Sequence, residues 1–123
     1  MNTLIRVAPV FVVRDLDRAI AYYNQLGFSI EFVYEGTYAS VQRDGCRVHL
    51  KRGAPVERDQ DAFEVAENID AFFLVADAAA LADELRDAGA TVVVALRTSP
   101  YGKEFYVKDP DQHVLAFVES VPI

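Results

Sequence analysis

From Val7 to Val13 the chain is almost wholly apolar and rich in β-branched residues, and then the period of the pattern changes. Leu16, Ala19, Ile20 and Tyr23 recur at three- and four-residue spacing, which is one buried stripe of a helix. The pattern therefore predicts a strand over Val7–Val13 and a helix from Asp15 to about Leu26. Asp15 suits the cap, because its carboxylate can accept a bond from an orphan amide of the first turn. Gly27 suits the stop, where a left-handed backbone costs glycine little. Three further β-rich runs follow, Phe28–Tyr34, Tyr38–Gln42 and Cys46–Lys51. Glu35-Gly36 and Asp44-Gly45 separate them and read as hairpin turns. The first half thus reads β-α-β-β-β.

Slid forward by 62 positions, this pattern lies on itself. Phe11 falls on Phe73, Val13 on Val75, Asp15 on Asp77, Gly27 on Gly89, Ile30 on Val92 and Phe32 on Val94. A repeat at a fixed offset is a statement about architecture. The second copy predicts strands at Ile69–Ala76, Thr91–Leu96, Glu104–Lys108 and His113–Glu119. A helix lined by Leu81, Leu85 and Ala88 lies between the first two. Asp109-Pro110-Asp111 reads as a tight turn, with proline fixing φ at its second position. The expected fold is α+β, a single domain of two pseudo-symmetric βαβββ modules over about 5–51 and 69–119. They would form a curved eight-stranded sheet with the helices on its convex face. Residues 52–68, with Gly53, Pro55 and many charges, read as the linker between them.

Composition narrows the function. A chain of 123 residues, 52% hydrophobic and 25% charged, is expected to be one soluble globular domain. Its net charge of −7 argues against non-specific nucleic-acid binding, which needs a basic face. No run approaches the roughly 18 apolar residues of a membrane span. Cys46 stands alone, so no disulfide can form within the chain, and a cytoplasmic setting is expected. Cys46 itself reads as a small hydrophobe packed at a strand start. The sequence holds no glycine-rich phosphate loop, H-E-x-x-H or G-x-S-x-G.

The runs Val12-Val13-Arg14-Asp15-Leu16, Tyr22-Tyr23 and Leu26-Gly27-Phe28 resemble the opening of the vicinal oxygen chelate superfamily. Tyr101-Gly102-Lys103-Glu104-Phe105 through Asp109-Pro110-Asp111 resembles its closing segment. With Ala8-Pro9-Val10 at the first strand, the likeness points to the glyoxalase and bleomycin-resistance subgroup and covers essentially the whole chain. One departure is Gln112, where the family usually has a turn glycine. The resemblance implies either a metal enzyme (an isomerase, lyase, dioxygenase or thiol transferase) or a metal-free protein that sequesters antibiotics.

The family's metal positions, carried over, fall on Ala8, His49, Asp70 and Ala116. Two are methyl groups, which ligate nothing, whereas a catalytic zinc site normally has three protein ligands. The expectation is therefore no metal and no cofactor. Alternation from these positions turns Arg47, His49 and Lys51 to the concave face. It does the same for Asp70, Phe72 and Leu74, and for Glu104 and Tyr106. Phe32, Tyr34 and Tyr38 come from flanking strands, and Tyr101 from the closing motif. The candidate ligand-binding set is thus Phe32, Tyr34, Tyr38, Arg47, His49, Asp70, Phe72, Tyr101, Glu104 and Tyr106.

Several of these inward-facing residues also have a structural reading. Phe32 and Phe72 read as core or as ring platforms. His49 and Asp70 read as a structural link or as a base with its orienting carboxylate. Arg47 and Lys51 read as ligand contacts or as solvated charges. Glu104 would attract a cation or pair with Lys103 or Arg47. The expected partner is a hydrophobic or cationic small molecule, bound by a homodimer. No nucleic acid and no membrane are expected.

Overall fold

A computed structural model describes residues 3–57 and 67–120, so the middle of the expected linker, 58–66, lies outside the described residues. The chain divides into two compact units, Met1–Pro55 and Val56–Ile123.

In the first unit the order is β1 (Val10–Val13), α1 (Leu16–Gln25), β2 (Ser29–Tyr34), β3 (Tyr38–Arg43) and β4 (Cys46–Arg52). The four strands form one sheet in the order β1-β4-β3-β2. The β1–β4 pair is parallel and the other two are antiparallel. Asp15 caps α1 by accepting from Arg18 N at 3.0 Å. Gly27, at φ +86°, follows the helix end. Asp44 and Gly45 are both left-handed, as a two-residue type I′ hairpin turn requires. The helix buries Leu16, Ala19, Ile20 and Tyr23 on one face of the sheet, where Val13, Val41, Val48 and Leu50 are also buried.

The second unit repeats the order as β5 (Ala71–Leu74), α2 (Ala78–Asp87), β6 (Thr91–Ser99), β7 (Gly102–Lys108) and β8 (Val114–Ser120). Its sheet runs β5-β8-β7-β6, again with one parallel pair, β5–β8. Asp77 caps α2 by accepting from Ala80 N, and Glu119 Oε1 accepts from Ala78 N at 2.9 Å. Leu85, Phe105, Val107, Leu115 and Phe117 are buried, with the Phe117 ring stacked between Phe73 and Phe105. At Gly102, φ +149°, a Cβ would collide with the Glu119 carbonyl oxygen, so only glycine allows β7 to begin there.

The expected α+β class and the βαβββ order of both modules are observed, the eight strands being divided between two four-stranded sheets. Even an irregularity repeats. The ladder slips between Ile30 and Phe32 in β2 and between Val92 and Val94 in β6, the two pairs that the 62-residue offset superimposes. Some strand ends differ from the pattern. β1 begins at Val10, the first residue in register with β4, and the Pro9 carbonyl just before it accepts from His49 N at 2.9 Å. β6 continues to Ser99, because Arg97, Thr98 and Ser99 still pair with β7. Cys46 is exposed and does not pack as a hydrophobe, because the turn carries the first residue of β4 beyond the buried positions Val48 and Leu50. Gln112 holds the left-handed conformation, φ +72°, that the family's glycine would adopt freely.

Candidate functional site

In the first unit, alternation turns His49 away from the buried pair Val48 and Leu50, onto the face opposite α1. Register places Ser40 beside His49 and Tyr38 beside Lys51 on the neighbouring strand. The bulge at Glu31 then sets Phe32 opposite Ser40. Three rings meet as a result. Phe32 stacks on Tyr38 with centroids 6.3 Å apart, and His49 stands edge-on to both, at 6.0 Å from Phe32 and 5.4 Å from Tyr38. The Tyr38 hydroxyl lies 2.7 Å from His49 Nδ1. Phe32 is 46% exposed, so it is not a core residue. Tyr34 is exposed at the end of the same strand.

Beside the rings is a polar group that sequence patterning missed. Glu31 Oε1 accepts from Ser40 Oγ at 2.6 Å, and both carboxylate oxygens accept from Arg47 Nε at 2.9 and 3.0 Å. These bonds, Ser40 first and Arg47 second, hold the Glu31 carboxyl below its ordinary value. Arg47 is therefore an ion-pair partner within its own unit, and Lys51 is exposed.

In the second unit Glu104 is fully buried, on the sheet face that also carries Tyr106, Ala116 and Val118. Its partners are neither Lys103 nor Arg47. Arg97 donates to Glu104 Oε2 from Nε at 3.1 Å and Nη2 at 2.9 Å, and the Tyr101 hydroxyl donates to Oε1 at 2.5 Å. The Arg97 guanidinium lies 5.6 Å from the Tyr106 ring centroid, a cation–π placement. Its outer edge is bound by Glu67. The bond to Glu104 raises the Tyr101 pKa, and burial, seconded by the Glu104 charge, pushes Tyr106 up to about 12. Both phenols are neutral at ordinary pH.

Asp70 is tied into its own unit. Its Oδ2 accepts from Val114 N at 2.7 Å while its own amide donates to Val114 O at 2.8 Å. Phe72 and Leu74 are exposed at 57% and 68%, so Phe72, like Phe32, is no core residue. His113 lies in the β7–β8 turn, where its Nδ1 is 2.7 Å from Asp109 Oδ2.

The metal positions implied by the resemblance do not fit a divalent ion. Ala8 and Ala116 offer no donor, and Ala116 is fully buried. His49 Nδ1 is engaged by Tyr38 and Asp70 Oδ2 by a backbone amide. Among the described residues no three His, Cys, Asp or Glu side chains gather into a ligand set. Among the same residues, no helix is long and apolar enough to cross a membrane.

The family model described as "Glyoxalase/Bleomycin resistance protein/Dioxygenase superfamily" matches residues 5–117. No curated protein matches the chain. Among solved structures, the bleomycin-binding protein of bleomycin-producing Streptomyces verticillus, complexed with copper(II)-bleomycin, is 27% identical, with a TM-score of 0.73. That alignment covers 98% of this chain and 100% of the other. A glyoxalase-related enzyme from Clostridium phytofermentans is 20% identical, with a TM-score of 0.77 and 98% of each chain covered. The bleomycin resistance determinant encoded on transposon Tn5 is 17% identical, with a TM-score of 0.72 and coverage of 97% and 100%. The last two likenesses are of fold alone.

Proposed function

The chain belongs to the glyoxalase/bleomycin resistance protein/dioxygenase superfamily, and we propose that within it the protein is a metal-independent small-molecule binder. The observation that carries this reading is the ring group of Phe32, Tyr38 and His49, set on the sheet face opposite the helix. Open aromatic faces with one or two fixed polar groups suit a planar hydrophobic ligand. The net charge of −7 and the ring faces favour a ligand that also carries positive charge. Metal independence is supported by the methyl groups at Ala8 and Ala116. The end-to-end likeness to a bleomycin-binding protein supports antibiotic sequestration as the role.

The working unit of the proposal is a homodimer. Edge strand β2 leaves Ile30, Phe32, Val33 and Tyr34 exposed, and an apolar edge of this kind invites cover by a second copy. A cytoplasmic setting agrees with the lone cysteine.

The test is calorimetric titration of chelator-treated protein with bleomycin, copper-loaded and copper-free, and with neutral and cationic aromatic compounds. Binding should persist without added metal. Phe32→Ala and Tyr38→Ala should each weaken it by about tenfold, the order of one lost aromatic contact. Binding or turnover that appears only with a divalent ion, and is lost in His49→Ala, would favour a metal-dependent glyoxalase, isomerase or dioxygenase instead. Sedimentation equilibrium at micromolar concentration should give a dimer.

A further inference from the structure

Arg97 is gripped by two carboxylates that differ in kind. Glu104 holds it from behind, fully buried on β7 and itself fixed by the Tyr101 hydroxyl. Glu67 meets it from the front, with Nη1 donating to Oε2 at 3.1 Å and Nη2 to Oε1 at 2.7 Å. This is the parallel two-bond geometry in which a guanidinium recognises any carboxylate or phosphate. Glu67 lies ahead of β5, its side chain 37% exposed, on a residue of left-handed φ, +51°. An ion pair that solvent reaches in this way is weak and exchangeable, whereas the buried one is not.

The consequence is a rigid cationic fork with a removable occupant. Glu104 and the Tyr106 ring fix the rotamer and plane of Arg97, so its outer edge is organised before anything binds. We propose that the outer edge of Arg97 is a binding site for an anionic group of a small molecule, a carboxylate, sulfonate or phosphate. In the free protein the Glu67 carboxylate occupies it as an internal, displaceable ligand. The guanidinium exchanges one anionic partner for another, while the tethered Glu67 carboxylate swings into solvent, where its charge is screened. Arg97 holds the Glu67 carboxyl below its ordinary value, and displacement would release that hold. The site is built from the second unit alone, on Arg97, Glu67, Glu104 and Tyr106, so it goes beyond the ring-group reading above and stands or falls separately from it.

Benzoate and benzamide, equal in shape and different in charge, test it. Both are titrated into wild type and Glu67→Gln while the Arg97 Nη–H and Glu67 carboxyl resonances are followed by NMR. Benzoate should shift the Arg97 Nη–H resonances, and benzamide should not. In wild type, benzoate should also move the Glu67 titration toward that of a free carboxyl. Glu67→Gln should tighten benzoate by about two- to fivefold, the range of an exposed ion pair, and leave benzamide unchanged. An unmoved Arg97 resonance, or equal responses to the two probes, overturns the anion site. If benzamide still perturbs Phe32 or Tyr38 in that case, the small-molecule reading stands without it. If neither probe perturbs any resonance, the anion site falls, and the small-molecule reading is decided by the titration with bleomycin and cationic aromatic compounds described above.

Discussion

Arg97 Nε and Nη2 converge on a single oxygen of Glu104, Oε2, in a side chain with no exposure to solvent. A buried carboxylate is tolerated only while its bonds are made, so its charge and its partners are inseparable. Glu104→Gln keeps the shape and loses the charge. It should cost about 1–3 kcal/mol of stability, the scale of a hydrogen bond to a charged group. Urea denaturation measures the loss, and a midpoint equal to wild type would show that Glu104 is not held as described.

Asp70 joins the start of β5 to the start of β8 through two bonds with Val114. Asp70→Ala should therefore destabilise the parallel β5–β8 pair by about 1–3 kcal/mol. The Val114 amide should then exchange its hydrogen faster, and Asp70→Asn should recover part of the protection. Were Asp70 chiefly a ligand contact, the alanine variant would lose binding and leave Val114 protected.

Much of the fold was legible because the determinants are local. Asp15 and Asp77 cap the helices, Gly27 and Gly89 follow their ends with left-handed φ, and Asp44-Gly45 turns the hairpin. The partner of Glu104 was not legible, for a reason visible in β6. Strict alternation from the pair Val94–Tyr106 would set Leu96 opposite Glu104. A second register shift, between Val94 and Arg97, brings Arg97 there. The bulge in β2 likewise frees Glu31 to reach Ser40 and Arg47. A two-residue period carries no information about where a bulge falls, because the extra residue is set by ladder geometry and not by composition.

Tyr106 gives the protein an alkaline signature. Its pKa is raised from 10.0 to about 12, first by burial and then by the Glu104 charge. A raised folded value means that the contribution to stability is complete below the unfolded value, 10.0, and is lost as pH rises through about 12. Of the six tyrosines, Tyr106 should ionise late, seen as a trailing step in phenolate absorbance. Tyr106→Phe should shrink that step and leave the part due to Tyr101, whose pKa is also raised. A spectrum in which every phenol titrates near 10.0 would place Tyr106 in solvent.

Gln112 makes the sharpest backbone prediction. It closes the Asp109-Pro110-Asp111 turn by donating its amide to Asp109 O at 3.1 Å, with φ at +72°. A side chain in that region costs roughly 1–2 kcal/mol through crowding of Cβ against the carbonyl. Glycine removes the crowding and gives back part of the gain as unfolded-state entropy. The Gln112 side chain offsets little, since its bond from Lys108 Nζ is exposed to solvent. Gln112→Gly should therefore stabilise the protein by about 0.5–1 kcal/mol, read as a higher denaturation midpoint. Gln112→Ala separates backbone from side chain, because it drops the Lys108 contact and keeps the Cβ. It should give no gain, and a gain equal to that of glycine would assign the strain to the glutamine side chain and not to the turn.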